Sequence, residues 1–186
     1  MTCETCVDYM KKIITCMALA CVMALCCTAQ ESEQDLTAKY DAALLAAGTP
    51  APDFKLVTPD GDTLTLKDFR GKYLVLDFWA IWCKDCIAAL PHVEAAFERF
   101  RDKDVMFLGV SLDDNKDNWV KGIKDYRLEY LHGSELKKWR RTDIAPAYAI
   151  DWIPTIYIID PQGKVVLGTI SVDKAVKTLE RITAGK

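Results

Sequence analysis

Two cysteines separated by two residues give the clearest chemical signal in the sequence. Cys83 and Cys86 follow an apolar run at residues 73–80 and precede a segment, 84–100, whose apolar positions have helical spacing. At the start of a helix, unpaired backbone N–H groups favour a thiolate over a thiol. The second cysteine, one helical turn later, can reach the first and close a disulfide. The spacing predicts reversible dithiol–disulfide exchange, and it leaves open a static disulfide or half of a metal site.

The other six cysteines all lie in an N-terminal segment typical of a secretory signal. Residues 10–12 give a short basic start, residues 13–28 are uncharged, and small residues end the run. These are the parts of a signal peptide. We therefore expect residues 1–29 to be removed from the mature protein, with Met10 as a candidate translation start.

Two alternatives to cleavage stay open. The uncharged run is close to the length of about 20 residues that a membrane-spanning helix needs, so it can serve as an uncleaved anchor. Cys21, Cys26 or Cys27 can carry a lipid, because the residues before them loosely resemble bacterial lipoprotein signals. Every alternative implies an exported, periplasmic or envelope-associated protein. Without this segment only the Cys-x-x-Cys pair remains, so the mature domain is not a disulfide-stapled scaffold.

The composition excludes several classes of protein. The chain has 186 residues, of which 51% are apolar and 27% charged, and its net charge is −3. This length suits one globular domain, and the near-neutral net charge does not indicate a nucleic-acid-binding protein. Two histidines make a catalytic zinc or iron site hard to assemble. We expect no cofactor, no metal and no nucleic-acid partner.

Apolar periodicity predicts one α/β domain at residues 49–186, after an N-terminal segment at 30–48 with a loose helix that ends at Gly48. Strands are predicted at residues 54–57, 63–66, 73–80, 105–112, 155–159 and 164–167, and helices at 84–100, 113–126, 134–141 and 173–182. A helix between two central strands implies a right-handed parallel crossover, and the late hairpin is antiparallel. We therefore expect a mixed central β-sheet flanked by helices and extended by an N-terminal β-hairpin.

Three polar features are predicted to be structural. Asp113 and Asp114 are predicted to cap the helix that follows them. His92 and His132 have no ligand partners in the sequence and are predicted to lie at the surface. The basic run at residues 137–141 is predicted to be a solvated helix face rather than a phosphate site.

Several motifs together resemble the thioredoxin superfamily. The segment LDFWAIWCKDC at residues 76–86 is similar to the active-site segment of that superfamily. The segment GTPAPDF at residues 48–54 and the stretch at 61–72 resemble its TlpA/ResA-type, AhpC/TSA-related exported branch, and residues 110–113 and 153–155 continue the match. The resemblance covers most of the chain after the N-terminal segment. It implies a thioredoxin-like fold with thiol–disulfide oxidoreductase activity.

Within this resemblance, Cys83 matches the attacking thiol and Cys86 the resolving thiol. Asp77 matches the buried acid that accepts a proton from the resolving cysteine. A carboxylate within an apolar run has a raised pKa, which suits proton exchange near neutral pH. Lys84 and Asp85 replace the more usual Gly-Pro or Glu-Pro between the cysteines, and their opposite charges leave the redox potential unassigned.

The resemblance places four further residues at the substrate-binding surface. Pro154 matches the cis-proline that lies against the cysteine pair, and Ile153 matches the residue whose backbone groups bind an extended substrate. Trp79 and Trp82 match aromatic residues that flank the active site, with ordinary packing as the alternative. Trp152 replaces a common glycine, and we expect this difference to alter the substrate groove.

The resemblance implies an exported reductase of protein disulfides with a role in cytochrome c maturation. Its implied partners are a disulfide-containing substrate protein and a membrane electron donor, and we expect a monomer. Two other functions stay open. A thiol peroxidase shares the lead-in at residues 48–54 but differs at the positions of Leu76 and Ala80. A thioredoxin-fold binding module would keep the cysteine pair as a structural disulfide only.

Overall fold

The computed structural model describes residues 35–184. Residues 35–39 are helical and belong to a separate unit, whereas residues 40–184 form the compact unit described below. The predicted signal peptide at residues 1–29 lies outside the described residues, and the predicted division at residue 49 stays a prediction. Within the described part, no helix is both long enough and apolar enough to cross a membrane.

Seven strands of the described part form one mixed β-sheet. The strands are β1 (Lys55–Val57), β2 (Thr63–Thr65), β3 (Tyr73–Trp79), β4 (Val105–Ser111), β5 (Leu131–Ser134), β6 (Thr155–Ile159) and β7 (Val165–Thr169). Their order across the sheet is β2-β1-β5-β4-β3-β6-β7. The three strands β5, β4 and β3 are parallel, and all other neighbouring pairs are antiparallel. This arrangement confirms the predicted α/β architecture, with a mixed sheet and an N-terminal hairpin.

Helices cover the sheet and supply much of the core. They are α1 (Lys84–Phe100), α2 (Lys116–Asp125), the short α3 (Ile144–Ala147) and α4 (Val172–Thr183), with 3₁₀ helices at Leu66–Phe69 and Trp139–Arg141. Val75 of β3 and Phe107 of β4 share one small apolar space with Val93 of α1 and Ala175 of α4. Strand β3 is buried at every residue after Tyr73, which explains its continuous apolar run.

The helix predicted at residues 134–141 is mostly absent, and a strand that was not predicted lies just before it. Residues 135–138 form no regular structure and Trp139–Arg141 form a short 3₁₀ helix. Leu131–Ser134 form β5, which pairs in parallel with β4. A Cβ atom on Gly133 would lie 2.9 Å from Cβ of Leu56, so only glycine fits at this strand position. Ser134 donates a hydrogen bond to the backbone O of Ser111 at 2.9 Å. A strand of Leu, His, Gly and Ser lacks the apolar pattern that identifies buried strands, so β5 was not predicted.

Other local predictions were also corrected. The helix predicted to end at Gly48 ends at Asp41 within the described residues. Helix α2 is capped by Asn115, whose side chain accepts the N–H of Asn118 at 2.9 Å, and not by the two preceding aspartates. His132 is buried among aromatic rings rather than exposed, because it lies on β5. The predicted exposure of the other histidine, on α1, is confirmed.

The chain before the first hairpin hydrogen-bonds to the far side of the sheet. The N–H of Gly48 donates to the O of Val165 at 2.8 Å, and the N–H of Val165 donates to the O of Thr49 at 2.9 Å. Ala51 then donates to Gly163 at 2.9 Å. Only a few residues later, β1 pairs with β5 at the opposite end of the strand order. One short stretch of chain therefore contacts both outer sides of the sheet core.

We predict that Gly109→Ala destabilises the protein by about 1–3 kcal/mol, the usual range for overpacking a core. A Cβ atom on Gly109 would lie 3.0 Å from Cε2 of Tyr130 and closer still to Nδ1 of His132, and both rings are buried. Urea unfolding measures this change. The matched control is Gly122→Ala on α2, where the added Cβ comes nearest to Cδ1 of Ile81, at 3.0 Å, and helix propensity improves. If Gly109→Ala unfolds at the same urea concentration as the parent protein, the prediction is contradicted.

Candidate redox site

The Cys-x-x-Cys pair lies where β3 ends and α1 begins. Cys83 is the N-cap residue of α1, and its Sγ accepts the backbone N–H of Cys86 at 3.1 Å. The two cysteines form a disulfide with a Cα–Cα distance of 5.2 Å. The exposed fraction is 9% for Cys83 and 1% for Cys86. The sulfur at the helix start is thus the more accessible one, and it sits where the helix dipole and a backbone donor favour a thiolate.

A buried carboxylate fixes the loop between β3 and the cysteines. Asp113 accepts the backbone N–H of Ile81 at 3.2 and 3.3 Å, one distance to each carboxylate oxygen. It also accepts the hydroxyl of Ser111 at 2.9 Å. Beside it, the N–H of Leu112 donates to the O of Trp79 at 2.9 Å. Burial raises the pKa of Asp113, while the bond from Ile81 acts in the opposite direction. The end of β4 therefore holds the loop that carries the first cysteine.

The predicted proline bend lies beside the cysteines. The Ile153–Pro154 peptide bond is cis, as predicted. The carbonyl oxygen of Ile153 lies 3.6 Å from Sγ of Cys83. Just before the bend, the O of Trp152 accepts the hydroxyl of Thr155 at 2.6 Å. The structure thus brings together two segments that are 70 residues apart in the chain.

The two tryptophans predicted near the substrate lie in different environments. Trp79 is fully buried on β3, with its ring 5.8 Å from that of His132. Its assignment to the substrate surface was wrong, because no part of the side chain reaches that surface. Trp82 has an exposed fraction of 54%, and its ring stacks on Trp139 at 5.8 Å. Trp152, the unusual residue before the bend, is half-buried against Tyr40.

Asp77 lies inside the core on β3, with an exposed fraction of 2%. Burial raises the pKa of Asp77 to about 7, and a hydrogen bond from the Tyr130 hydroxyl at 3.1 Å partly opposes this rise. The Tyr130 ring lies 4.5 Å from the ring of His132. Burial lowers the pKa of His132 to about 3, so this histidine is neutral near pH 7. Asp77 can therefore gain or lose a proton near neutral pH with a neutral phenol as its hydrogen-bond donor.

Sequence reasoning missed three residues of this region. Tyr130 binds Asp77 across 53 positions of sequence, and only the parallel strand order brings the two together. Asp113 was interpreted as a helix cap. Its place directly after a buried strand could have indicated a position near the loop between β3 and Cys83. Trp139 was hidden within a basic run and gave no signal of its contact with the tryptophan before the first cysteine.

Comparison with known proteins identifies one matching family and several similar thiol-disulfide oxidoreductases. Residues 47–167 match the AhpC/TSA family. The chain is 29% identical to thiol-disulfide oxidoreductase ResA of Bacillus cereus over 119 residues, which cover 64% of this chain and 66% of that protein. It is 30% identical to ResA of Geobacillus thermodenitrificans over 141 residues, covering 74% and 79%.

Solved structures agree with these sequence relatives. The thioredoxin domain of a thiol-disulfide oxidoreductase from Bacteroides vulgatus matches with a TM-score of 0.69 and 31% identity, covering 75% of this chain and 99% of that domain. A thiol:disulfide interchange protein from Bacteroides sp. matches with the same TM-score and identity, covering 75% and 91%. These matches establish the predicted thioredoxin-like fold.

We predict that Asp77→Asn stabilises the oxidised protein at pH 8 and has little effect at pH 4. The folded protein holds the Asp77 proton up to about pH 7, while the unfolded chain releases it near pH 4. Stability therefore falls as the pH rises through this window, by up to about 4 kcal/mol. Urea unfolding at several pH values measures the difference. Asp60→Asn, in the exposed β1–β2 turn, is the control and should show no pH-dependent gap. Equal pH dependence in Asp77→Asn and the parent would contradict the prediction.

We predict that Tyr130→Phe raises the pKa of Asp77 above 7. The Tyr130 hydroxyl donates to the carboxylate and so favours its charged form, and phenylalanine keeps the ring but removes the donor. A titration of the Asp77 carboxyl carbon by NMR, in the oxidised protein, gives the pKa directly. An unchanged or lowered value would show that the hydrogen bond does not control this proton.

Proposed function

Because the chain belongs to the AhpC/TSA family and carries a thiol–disulfide oxidoreductase domain of the TlpA/ResA type, we propose that it reduces disulfides of exported proteins through Cys83 and Cys86. One observation carries this proposal. The more accessible sulfur of the pair accepts an N–H at the start of α1 and lies 3.6 Å from the carbonyl oxygen of Ile153. A reactive sulfur and a backbone acceptor for substrate are thus adjacent.

The reaction takes two exchange steps. The thiolate of Cys83 attacks one sulfur of the substrate disulfide, forming a mixed disulfide and releasing the other substrate sulfur as a thiolate. The thiolate of Cys86 then attacks Sγ of Cys83, which releases the second substrate thiolate. Two electrons pass from the protein dithiol to the substrate cystine, and the product is the Cys83–Cys86 disulfide seen in the structure. Oxidation of a substrate would run these steps in reverse.

Asp77 is proposed to accept the proton of the Cys86 thiol. Cys86 is almost fully buried, so its thiol needs a proton acceptor within the protein. A carboxyl group with a pKa of about 7 can accept and release a proton at neutral pH with little penalty in either direction. Tyr130 keeps this pKa from rising further, which makes it a positioning residue for the acid.

The substrate is proposed to lie across Ile153 and Pro154, with Trp82 beside it. Backbone groups at Ile153 can pair with an extended segment of substrate, as in strand addition. Trp82 is the exposed aromatic residue next to the attacking cysteine and can cover the substrate disulfide from the other side. The buried tryptophan on β3 has no part in this surface.

The cellular setting is proposed from the sequence. A signal-like N-terminal segment supports export to the periplasm or envelope, with retention by a lipid or a helical anchor as an alternative. A protein that reduces substrates there has to recover two electrons per cycle, which supports a membrane electron donor. The resemblance to the TlpA/ResA-type branch supports a role in cytochrome c maturation. We propose a monomer.

Thiol peroxidase activity is the alternative enzyme function. The printed names of the relatives, thiol-disulfide oxidoreductase and thiol:disulfide interchange protein, favour disulfide exchange. Leu76 and Ala80 also differ from the residues that a peroxidase places before its cysteine. Consumption of hydrogen peroxide by the reduced protein separates the two functions.

We predict that Cys83→Ser lowers the rate of insulin reduction at least about a thousandfold, because the attacking thiolate is lost. Cys86→Ala keeps the first step but cannot resolve it, so a mixed disulfide with the substrate should accumulate and be visible by mass spectrometry. His92→Gln, exposed on α1, is the control and should keep the parental rate. A parental rate in Cys83→Ser, or a structural disulfide that forms no mixed species, would overturn the proposed function.

A further inference from the structure

A large aromatic surface is exposed beside the reactive cysteine. Trp82, the residue before Cys83, has an exposed fraction of 54%. Its ring stacks on Trp139 with the centroids 5.8 Å apart and an angle of 27° between the planes. Trp139 is half-buried and belongs to the 3₁₀ helix that follows β5. Two indole rings from distant segments thus form one surface next to the site of disulfide exchange.

Three exposed cations flank Trp139 in the sequence. Lys138, Arg140 and Arg141 are all exposed, and none of them forms an ion pair within residues 35–184. The guanidinium of Arg140 lies 5.8 Å from the ring centroid of Trp139. Lys137 differs from these three, because it is paired with two carboxylates. The basic run is exposed to solvent, as predicted, and its last three residues form a 3₁₀ helix. Trp139 also joins this segment to the redox site through its contact with Trp82.

We propose that Trp82, Lys138, Trp139, Arg140 and Arg141 form a basic–aromatic patch that binds acidic polypeptide segments next to the substrate cystine. This inference rests on the proposed function and names its substrate class. Cations that form no ion pair within residues 35–184 can attract carboxylates on a substrate. The stacked rings offer apolar contact to the chain between those carboxylates and the cystine.

The residues between the cysteines do not supply this preference. Lys84 and Asp85 are both exposed and carry opposite charges, so they give no net attraction to either sign of substrate. The patch, in contrast, carries a net positive charge and is joined to the residue before Cys83 through Trp139. Attraction of this kind acts mainly on the rate of encounter and is screened by salt over about 10 Å at 0.1 M.

The test compares two cyclic peptides, each closed by one disulfide, that differ only in having Glu or Lys beside the cysteines. The pre-reduced protein is mixed with each peptide in single-turnover experiments, and the rate of peptide reduction is measured at low and high salt. We expect a preference of about tenfold for the Glu peptide at low salt, within the range of electrostatic steering. The triple variant Lys138→Gln/Arg140→Gln/Arg141→Gln should reduce this ratio to near one. Comparing ratios removes any difference in the intrinsic reactivity of the peptides.

The control removes one exposed cation elsewhere. Lys177→Gln on α4 should keep the parental ratio. Loss of the preference in the triple variant alone, and its loss at 0.5 M salt, would support the patch. Equal rates for the two peptides in the parent, or a preference that survives the triple variant, would overturn it. If the parent reduces neither peptide nor insulin, the proposed function itself fails, which is a different result from reduction without charge preference.

Discussion

The hydrogen bond from the N–H of Cys86 to Sγ of Cys83 is the interaction on which the rest of the site depends. It forms only when the first cysteine occupies the N-cap of α1, so β3 has to end at Trp79 and the loop between them has to be held in place. Asp113 holds that loop through the N–H of Ile81. Because the acid follows β4, the end of a neighbouring strand controls the position of the reactive sulfur.

The same strand that leads to the cysteines also carries an acid into the core. Asp77 has no ion pair within the described residues. Its carboxylate accepts one hydrogen bond, from the hydroxyl of Tyr130, which directly precedes β5. A carboxylate in this position opposes folding at neutral pH, and the large apolar core around it compensates. Position 77 therefore carries a group that can exchange a proton near pH 7, at a cost in stability.

Much of this structure could be predicted from the sequence, and the failures share a cause. Long apolar runs identified β3 and β4, and the cysteine spacing identified the start of α1. Strand β5 was not predicted because contacts with neighbouring strands, and not an apolar pattern, determine its position. Gly133 packs against Leu56, and the Ser134 hydroxyl donates to the backbone of β4. The contact of Trp82 with Trp139 was missed for the same reason, since it depends on where β5 ends.

The stretch from Gly48 to β1 has a consequence for self-association. Its first residues pair with the start of β7, and a few residues later β1 pairs with β5, so one segment covers the start of β7 and the open side of β5. The outermost strand at the other end of the sheet, β2, is only three residues long. Short and covered edges offer little template for pairing with another chain. Cleavage within this segment would expose backbone donors and acceptors on both sides of the sheet and favour its pairing with other chains.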